Sequence, residues 1–391
     1  MNKILISIGG RLTEKHLSFL IDVFNNLNHS GEAYLHLYKF KYPALSQWEV
    51  DVKRYKLTAF DKLKFIFYFI FFLLLYGFNW YINIKSQKIL KTNYLNFIFN
   101  HTLNFYKIYT IKKINHFCCW NNHHYYFGIY YDFCSILKIK TSIIEWGYIP
   151  DSFILDKSGY AGESSIASSS LNILIQDNYQ ILTNIGKECI FSINNIDINI
   201  YNQKFQSPLL DQIYRKKING NKILFLGINE YDQGCIPFYL KSKKTYLNRF
   251  NSCLEISLEI SKRLNNDDLL IFKPHPTRNK YQEEQISTNH FILNVDPNIL
   301  IDWADLVITV GSKLELNVLL KGKKLFLLHS GVFWNKDCAI QSNDVDELIS
   351  NLNFSSNIHI NSLYLYTGYL LNKYMFLPEK MSVQNFCNFF K

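Results

Sequence analysis

The sequence predicts an α/β protein built as two doubly wound domains with parallel sheets facing a central cleft. Three observations carry this expectation. The chain has 391 residues, which corresponds to two or three domains at roughly 150 residues each. From residue 220 onward, short apolar runs alternate with stretches of helical periodicity, as in a parallel sheet with crossover helices. The first half carries similar runs, and the polar section 194–221, rich in Asn, Asp, Gln and Lys, separates the halves. The expected division is an N-terminal domain over 1–205, a linker over 206–220 and a C-terminal domain over 221–350. A helical segment, 351–391, is expected to pack back on the N-terminal domain.

The elements follow in order. Residues 4–8 are an apolar run too short for a signal peptide, and they lead into Gly9-Gly10 as a first strand enters a glycine turn. Further strands are expected at 116–120, 140–145, 172–175 and 188–193. In the second half, 222–227 is an apolar run ending in glycine. Residues 244–264 carry apolar positions at helical spacing: Leu247, Phe250, Leu254, Ile256, Leu258, Ile260 and Leu264. Strands at 268–274, 291–293 and 306–310 come next. The last runs into Gly311-Ser312 and a helix over 313–321, followed by a strand at 324–328.

One segment stands apart. Residues 65–82 read FIFYFIFFLLLYGFNWYI, without a charge, and follow Lys62 and Lys64. The length is at the threshold for crossing a bilayer. A span would separate residues 1–60 from 85–391, and no second run of that quality returns the chain. Its aromatic character, with Trp80 and Tyr81 near one end, suits an element in a membrane interface or a helix buried in a large core. Both readings are favoured over spanning.

Composition removes several classes. With 48% hydrophobic and 19% charged residues, general disorder is excluded. Forty-two Lys and Arg against 32 Asp and Glu leave a charge of +10. The basic residues are scattered, and no zinc-finger, RNA-recognition or basic-region pattern occurs, so no nucleic-acid partner is expected. An anionic membrane face or an anionic substrate fits the charge. The eight cysteines include no C-x-x-C pair. His123 and His124 are adjacent and too near Cys118 and Cys119 for zinc spacing. Reduced thiols in a cytoplasmic protein, with no metal, are expected.

Ligands of open α/β sheets lie beyond the carboxyl ends of the strands, and four clusters fall there. In Lys273-Pro-His-Pro276, two prolines hold His275 outside regular structure. It is placed to donate to a phosphate or hydroxyl, or it is a solvent-facing turn residue. Gly311-Ser312-Lys313-Leu314-Glu315 opens a helix, either as an anion site with Glu315 near a ribose or as a plain capping box. Glu230-Tyr231-Asp232-Gln233-Gly234 offers a carboxylate nucleophile or base, or an ordinary turn aspartate. The fourth is Glu145-Trp-Gly-Tyr-Ile-Pro150, followed by Gly159 and then Gly162-Glu163-Ser164. It brings two carboxylates to a Gly/Ser-rich stretch, or is a loop packed by Trp146.

Their order is more specific than any one of them. The run Trp120-Asn121, Glu145-x-Gly147-x-x-Pro150, Gly159-x-x-Gly162-x-Ser164, Asp232-Gln233, Lys273-Pro-His-Pro276 and Gly311-Ser312-x-x-Glu315 resembles the retaining β-Kdo glycosyltransferases of bacterial capsule and O-antigen synthesis. The resemblance covers about residues 116–330. It implies a GT-B-like pair of Rossmann-type domains that use CMP-β-Kdo as donor and need no further cofactor. It implies that His275, Ser312 and Glu315 hold the CMP phosphate and ribose, with Lys273 and Gly311 beside them. Asp232 would be the nucleophile of a double displacement, and Glu163 or Glu145 the acid/base partner.

Asn121 falls within the motif run. Arg11, Lys273 and Arg278 are candidates for the donor carboxylate. The glutamine that the family often carries near positions 228–229 is absent, which leaves the alignment of this loop open by about a residue. The implied acceptor is an oligosaccharide or lipid-linked glycan, and the implied location is cytoplasmic, at the inner-membrane face. Two rivals fit the same motifs: an inverting CMP-sialic-acid transferase with Asp232 as general base, and a noncatalytic polysaccharide-assembly protein.

Overall fold

Leu5, Ile6 and Ile8, and again Ile223 through Leu226, are buried. Continuous runs of this kind form strands covered by helices on both faces. The structure is a computed structural model, and it describes residues 3–9, 11–30, 32–37, 41–77, 79–81, 84, 93–159, 163–167, 169–176, 178–192, 206–230, 250, 252–277, 281–328, 331–352, 359–378 and 380–390.

The chain begins with β1 (Lys3–Ile8), α1 (Glu14–Ser30) and β2 (Glu32–Leu37). Helices α2 (Ala59–Phe72) and α3 (Tyr94–Lys112) precede β3 (His116–Trp120), α4 (Tyr125–Leu137), β4 (Lys140–Trp146) and β5 (Phe153–Asp156). Then come α5 (Leu171–Leu174), α6 (Tyr179–Ser192), α7 (Pro208–Arg215), β6 (Lys222–Leu226), α8 (Cys253–Ser261) and β7 (Leu269–Lys273). Next are β8 (Glu284–Ser287), β9 (His290–Ile292), α9 (Pro297–Trp303), β10 (Leu306–Thr309), α10 (Glu315–Leu320) and β11 (Lys324–Leu327). The remaining elements are β12 (Ile340–Gln341), α11 (Val345–Leu352), α12 (Ile360–Tyr369), β13 (Met375–Phe376) and α13 (Lys380–Asn388).

Two units result. The first comprises Met1–Tyr160 with Met375–Lys391, the second Ala161–Tyr374. In the first, the sheet order is β13-β5-β4-β3-β1-β2. Strands β2, β1, β3 and β4 run parallel, and β5 is antiparallel to both β4 and β13. In the second, the order is β12-β11-β10-β6-β7-β9-β8, parallel except for β8 against β9. Both are Rossmann-type α/β units, as the sequence predicts. Their cores are aliphatic and aromatic. In the second unit Ile223, Phe225, Leu270, Phe272 and Ile308 pack with Ile256 and Ile260 of α8. Truncating Phe225 there costs about 3–5 kcal/mol.

The structure corrects three expected elements. Residues 172–175 and 188–193 read as strands in the sequence, but α5 and α6 occupy them. Helix α6 packs on α12, and a Cβ on Gly186 would meet the Tyr364 carbonyl oxygen at 1.8 Å. This backbone-level contact overrides the β propensity of Ile190 and Phe191. The helix expected over 313–321 is the shorter α10, which begins at Glu315. Residues 163–192 are grouped with the second unit, and the boundary falls at Tyr160/Ala161 instead of near 205. Beyond 352, α12 stays with the second unit through α6, whereas β13 and α13 join the first, α13 against α1.

The apolar segment is resolved face by face. Helix α2 starts from a capping box in which Thr58 and Asp61 satisfy each other's amides. Phe65, Phe69 and Phe72 are buried, their rings against Phe99 of α3 and Phe133 of α4. The helix continues as a π-helical turn over Leu73–Gly77. No described helix is long and apolar enough to cross a membrane.

Candidate functional site at the switch point of the second sheet

The winding of the second unit defines where a ligand fits. From β6 the chain moves outward to β7 and β9, then crosses back to β10 and winds the other way to β11 and β12. The switch point therefore lies between β6 and β10, the position at which ligands of open α/β sheets bind. The strands end level with one another: Leu226 is paired with Thr309 on one side and with Lys273 on the other. Two of the four clusters singled out in the sequence follow this row, as does Glu230 of a third.

Lys273 ends β7. Its side chain is buried, and Nζ donates to the carbonyl of Pro274 at 2.9 Å. Burial lowers its pKa to about 8, against the opposing pull of Asp296 and Glu283. The ammonium stays mostly charged at neutral pH. It is a desolvated cation at the strand end, where its field is strongest.

The Pro-His-Pro turn then orients His275. The amide of Thr277 donates to His275 Nδ1 at 3.3 Å, and the Thr277 hydroxyl lies 2.8 Å from the same nitrogen. Because Nδ1 accepts, the neutral ring carries its hydrogen on Nε2. Asn229, in the loop after β6, donates to Thr277 Oγ1 at 3.1 Å. The Thr277 hydroxyl thus accepts from Asn229 and donates to His275, tying the two strand-end loops together. Neither Asn229 nor Thr277 is singled out in the sequence. Their only signal is position, two residues on from Pro-His and two after Gly227.

Beyond β10, Gly311 has φ of 106°, a backbone conformation that glycine adopts without strain. The amide of Ser312 donates to Thr309 Oγ1 at 3.0 Å, and the Thr309 hydroxyl donates to Glu315 Oε1 at 3.4 Å. Ser312 Oγ accepts from Leu314 N at 3.2 Å. Of the alternatives the sequence offers here, the capping box would have Ser312 Oγ accept from Glu315 N, but the Glu315 amide donates to the Ser312 carbonyl at 3.1 Å. The helix starts later, with Leu314 at its N-cap, and the buried Glu315 carboxylate turns back to the strand end. Thr309, buried as the last residue of β10, is the organiser that the sequence reading missed.

After β6, Glu230 is buried and accepts from the Cys253 amide at 3.0 Å, at the first turn of α8. Asp232 lies outside the described residues, as do Arg278 and Gly162. Glu163 also belongs to the second unit and is half-buried.

The remaining candidates belong to the first unit. There the chain leaves β1 for β2 and returns to β3, so its switch point is between β1 and β3. Arg11 is exposed in the loop after β1. Asn121 follows β3 with φ of 51°, buried, its Oδ1 accepting from the His123 amide at 3.0 Å. Glu145, near the end of β4, is buried, and its Oε1 accepts from the Trp146 amide at 2.9 Å. A histidine not foreseen stands beside this row. His16 is buried with its ring 4.3 Å from that of Trp146, and Thr13 N donates to its Nδ1 at 3.0 Å. Burial pushes its pKa down to about 4, although Asp151, 4.0 Å from Nε2, opposes this. With residues this far apart in sequence, no motif could mark the group.

No known sequence family matches the chain, and no curated protein matches it. Its fold is similar to several solved structures. One is the Thermosulfurimonas dismutans KpsC beta Kdo 2,7 transferase, at 12% identity and a TM-score of 0.47 over 100% of both chains. A second is the T. dismutans KpsC beta Kdo 2,4 transferase, at 13% identity and a TM-score of 0.43, over 66% of this chain and 79% of that one. A third is Anabaena Alr3699/HepE in complex with UDP and glucose, at 11% identity and a TM-score of 0.36, over 100% and 99%.

Proposed function

We propose that this protein is a retaining glycosyltransferase that moves Kdo from CMP-β-Kdo to an oligosaccharide or lipid-linked glycan of a bacterial surface polysaccharide. The observation that carries the reading is the row formed by Thr309, Leu226 and Lys273. Gly311-Ser312, Glu230 and Lys273-Pro-His-Pro276 follow the ends of these three neighbouring strands at a sheet switch point, and they belong to the motif run of the resemblance, which supports the reading.

The chemistry follows from the donor. Kdo reacts at a ketosidic carbon that already bears a carboxylate, through an oxocarbenium-like transition state. In the first step a carboxylate oxygen of Asp232 bonds to that carbon as its bond to the CMP phosphate oxygen breaks, and CMP departs with the electron pair. In the second, the acceptor hydroxyl oxygen attacks the same carbon, the bond to Asp232 breaks, and Glu163 or Glu145 takes the hydroxyl proton. Two inversions return the original configuration. CMP needs stabilisation of phosphate charge rather than a strong acid. In this reading the Lys273 ammonium and the Nε2–H of His275 supply it, Gly311, Ser312, Glu315 and Asn121 bind the donor, and Arg11 is a candidate for its carboxylate. The reaction would run on the cytoplasmic side of the inner membrane.

Intact-protein mass spectrometry after brief exposure to fresh CMP-Kdo tests the proposal. A single Kdo on the peptide containing Asp232 is the expected result. Release of CMP without an adduct, and with inverted product, would replace double displacement by direct displacement. Absence of any CMP release would overturn the donor assignment.

A further inference from the structure

Helix α2 presents to solvent the kind of face that a folded protein normally hides. Phe60, Leu63, Phe67 and Ile70 recur at helical spacing on its outer side, Leu74 follows in the π-helical turn, and all five are 51 to 77% exposed. Such contiguous apolar patches mark interaction surfaces. The opposite side, Phe65, Phe69 and Phe72, is fixed on α3 and α4, which rules out lipid all round and hence a spanning role.

The charges around the face select the occupant. Between 51 and 77 there are five basic residues and two acidic ones, and 65–77 carry none. Both acidic groups are used locally: Asp61 closes the capping box with Thr58, and Asp51 pairs with Arg54 at 3.0 Å. Lys53, Lys56, Lys62 and Lys64 are exposed at the basic end, and Lys64 Nζ stands 4.4 Å above the Phe60 ring. An apolar strip with a lysine collar matches the acyl boundary and the anionic headgroups of one leaflet. A second copy would instead bring two like-charged collars together.

We infer that α2 and the π-helical turn after it form an in-plane anchor, inserted through Phe60, Leu63, Phe67, Ile70 and Leu74 into the surface of an anionic bilayer. This inference does not depend on the proposed transferase activity.

Flotation of the full-length protein with vesicles tests it without any substrate. Phosphatidylcholine vesicles containing about 30 mol% phosphatidylglycerol should bind the protein at least about ten-fold better than pure phosphatidylcholine, and salt should weaken the binding. Leu63→Asp with Phe67→Asp and Ile70→Asp should reduce binding about ten-fold with unchanged circular dichroism. Lys62→Glu with Lys64→Glu, at exposed positions, should abolish the preference for anionic vesicles. Wild-type protein that stays unbound to anionic vesicles, or variants that bind as the wild type does, would overturn the inference. So would a dimer dissociated by the aspartates in the absence of lipid binding, which would assign the face to a second copy.

Discussion

Gly186 of α6 and Gly368 of α12 meet backbone to backbone. A Cβ on Gly186 would stand 1.8 Å from the Tyr364 carbonyl oxygen and 2.9 Å from the Gly368 amide nitrogen. One on Gly368 would stand 1.8 Å from the Leu182 carbonyl oxygen. No rotamer relieves a clash with main chain, so Gly186→Ala or Gly368→Ala must push the helices apart. Each should lower stability by about 3 kcal/mol in urea unfolding, and the double variant should cost less than the sum, because one separation relieves both clashes.

Acid should unfold the protein early. Burial holds His36 and His101 neutral, down to about 4 and about 3, and His116 and His290 down to about 4 each. The unfolded chain, with ordinary imidazoles near 6.5, takes up protons that the folded chain refuses, so stability falls as pH drops from 6.5 toward 4 and is intact above 6.5. The almost fully buried His36 and His101 contribute of order 3 kcal/mol each. Urea midpoints should decline steeply below pH 6.

Asp232→Asn should reduce transfer by a factor on the order of a thousand or more and leave CMP binding within about two-fold. His275→Ala should weaken CMP binding about ten-fold. Calorimetric titration with CMP, beside a transfer assay, separates the two roles. Normal transfer by the Asp232→Asn variant would remove this aspartate as nucleophile.

Lys336 is buried and donates from Nζ to the carbonyls of Ile166 at 3.0 Å, Ser169 at 2.6 Å and Trp334 at 2.5 Å. Lys336→Met keeps the volume but strands three acceptors and should cost about 3 kcal/mol. The segment 163–170 should then become the first site of limited proteolysis.

What was legible in the sequence follows physical rules. Strands β6, β7, β10 and β11 lie within a residue or two of their expected ends, because continuous Ile, Leu and Phe runs bounded by Gly, Pro or Asp have few alternatives. The loops after β7 and β10 were visible for the same reason, since Pro274, Pro276 and Gly311 punctuate the chain. Helices α5 and α6 were misread because Ile173, Ile175 and Ile190 favour strands locally, and for α6 only packing on α12 decides otherwise. Two-residue strands such as β13 carry no period at all. The apolar segment was ambiguous because it is two-sided, buried through Phe65 and Phe69 and exposed through Phe67 and Ile70. Within the candidate site, the Thr309 and Thr277 hydrogen bonds stayed hidden because isolated threonines have no spacing to read.

The first unit is closed by residues that follow the whole of the second in the chain: Met375 and Phe376 pair with Ile154 and Phe153 of β5, and α13 packs on α1. During synthesis the second unit, being contiguous, can fold as it emerges from the ribosome. The first must wait with one edge of β5 unpaired and the α1 surface uncovered until more than two hundred further residues have been translated. Its nascent form is thus an interrupted sheet with a sticky margin, the stage at which a chaperone would find the most to hold.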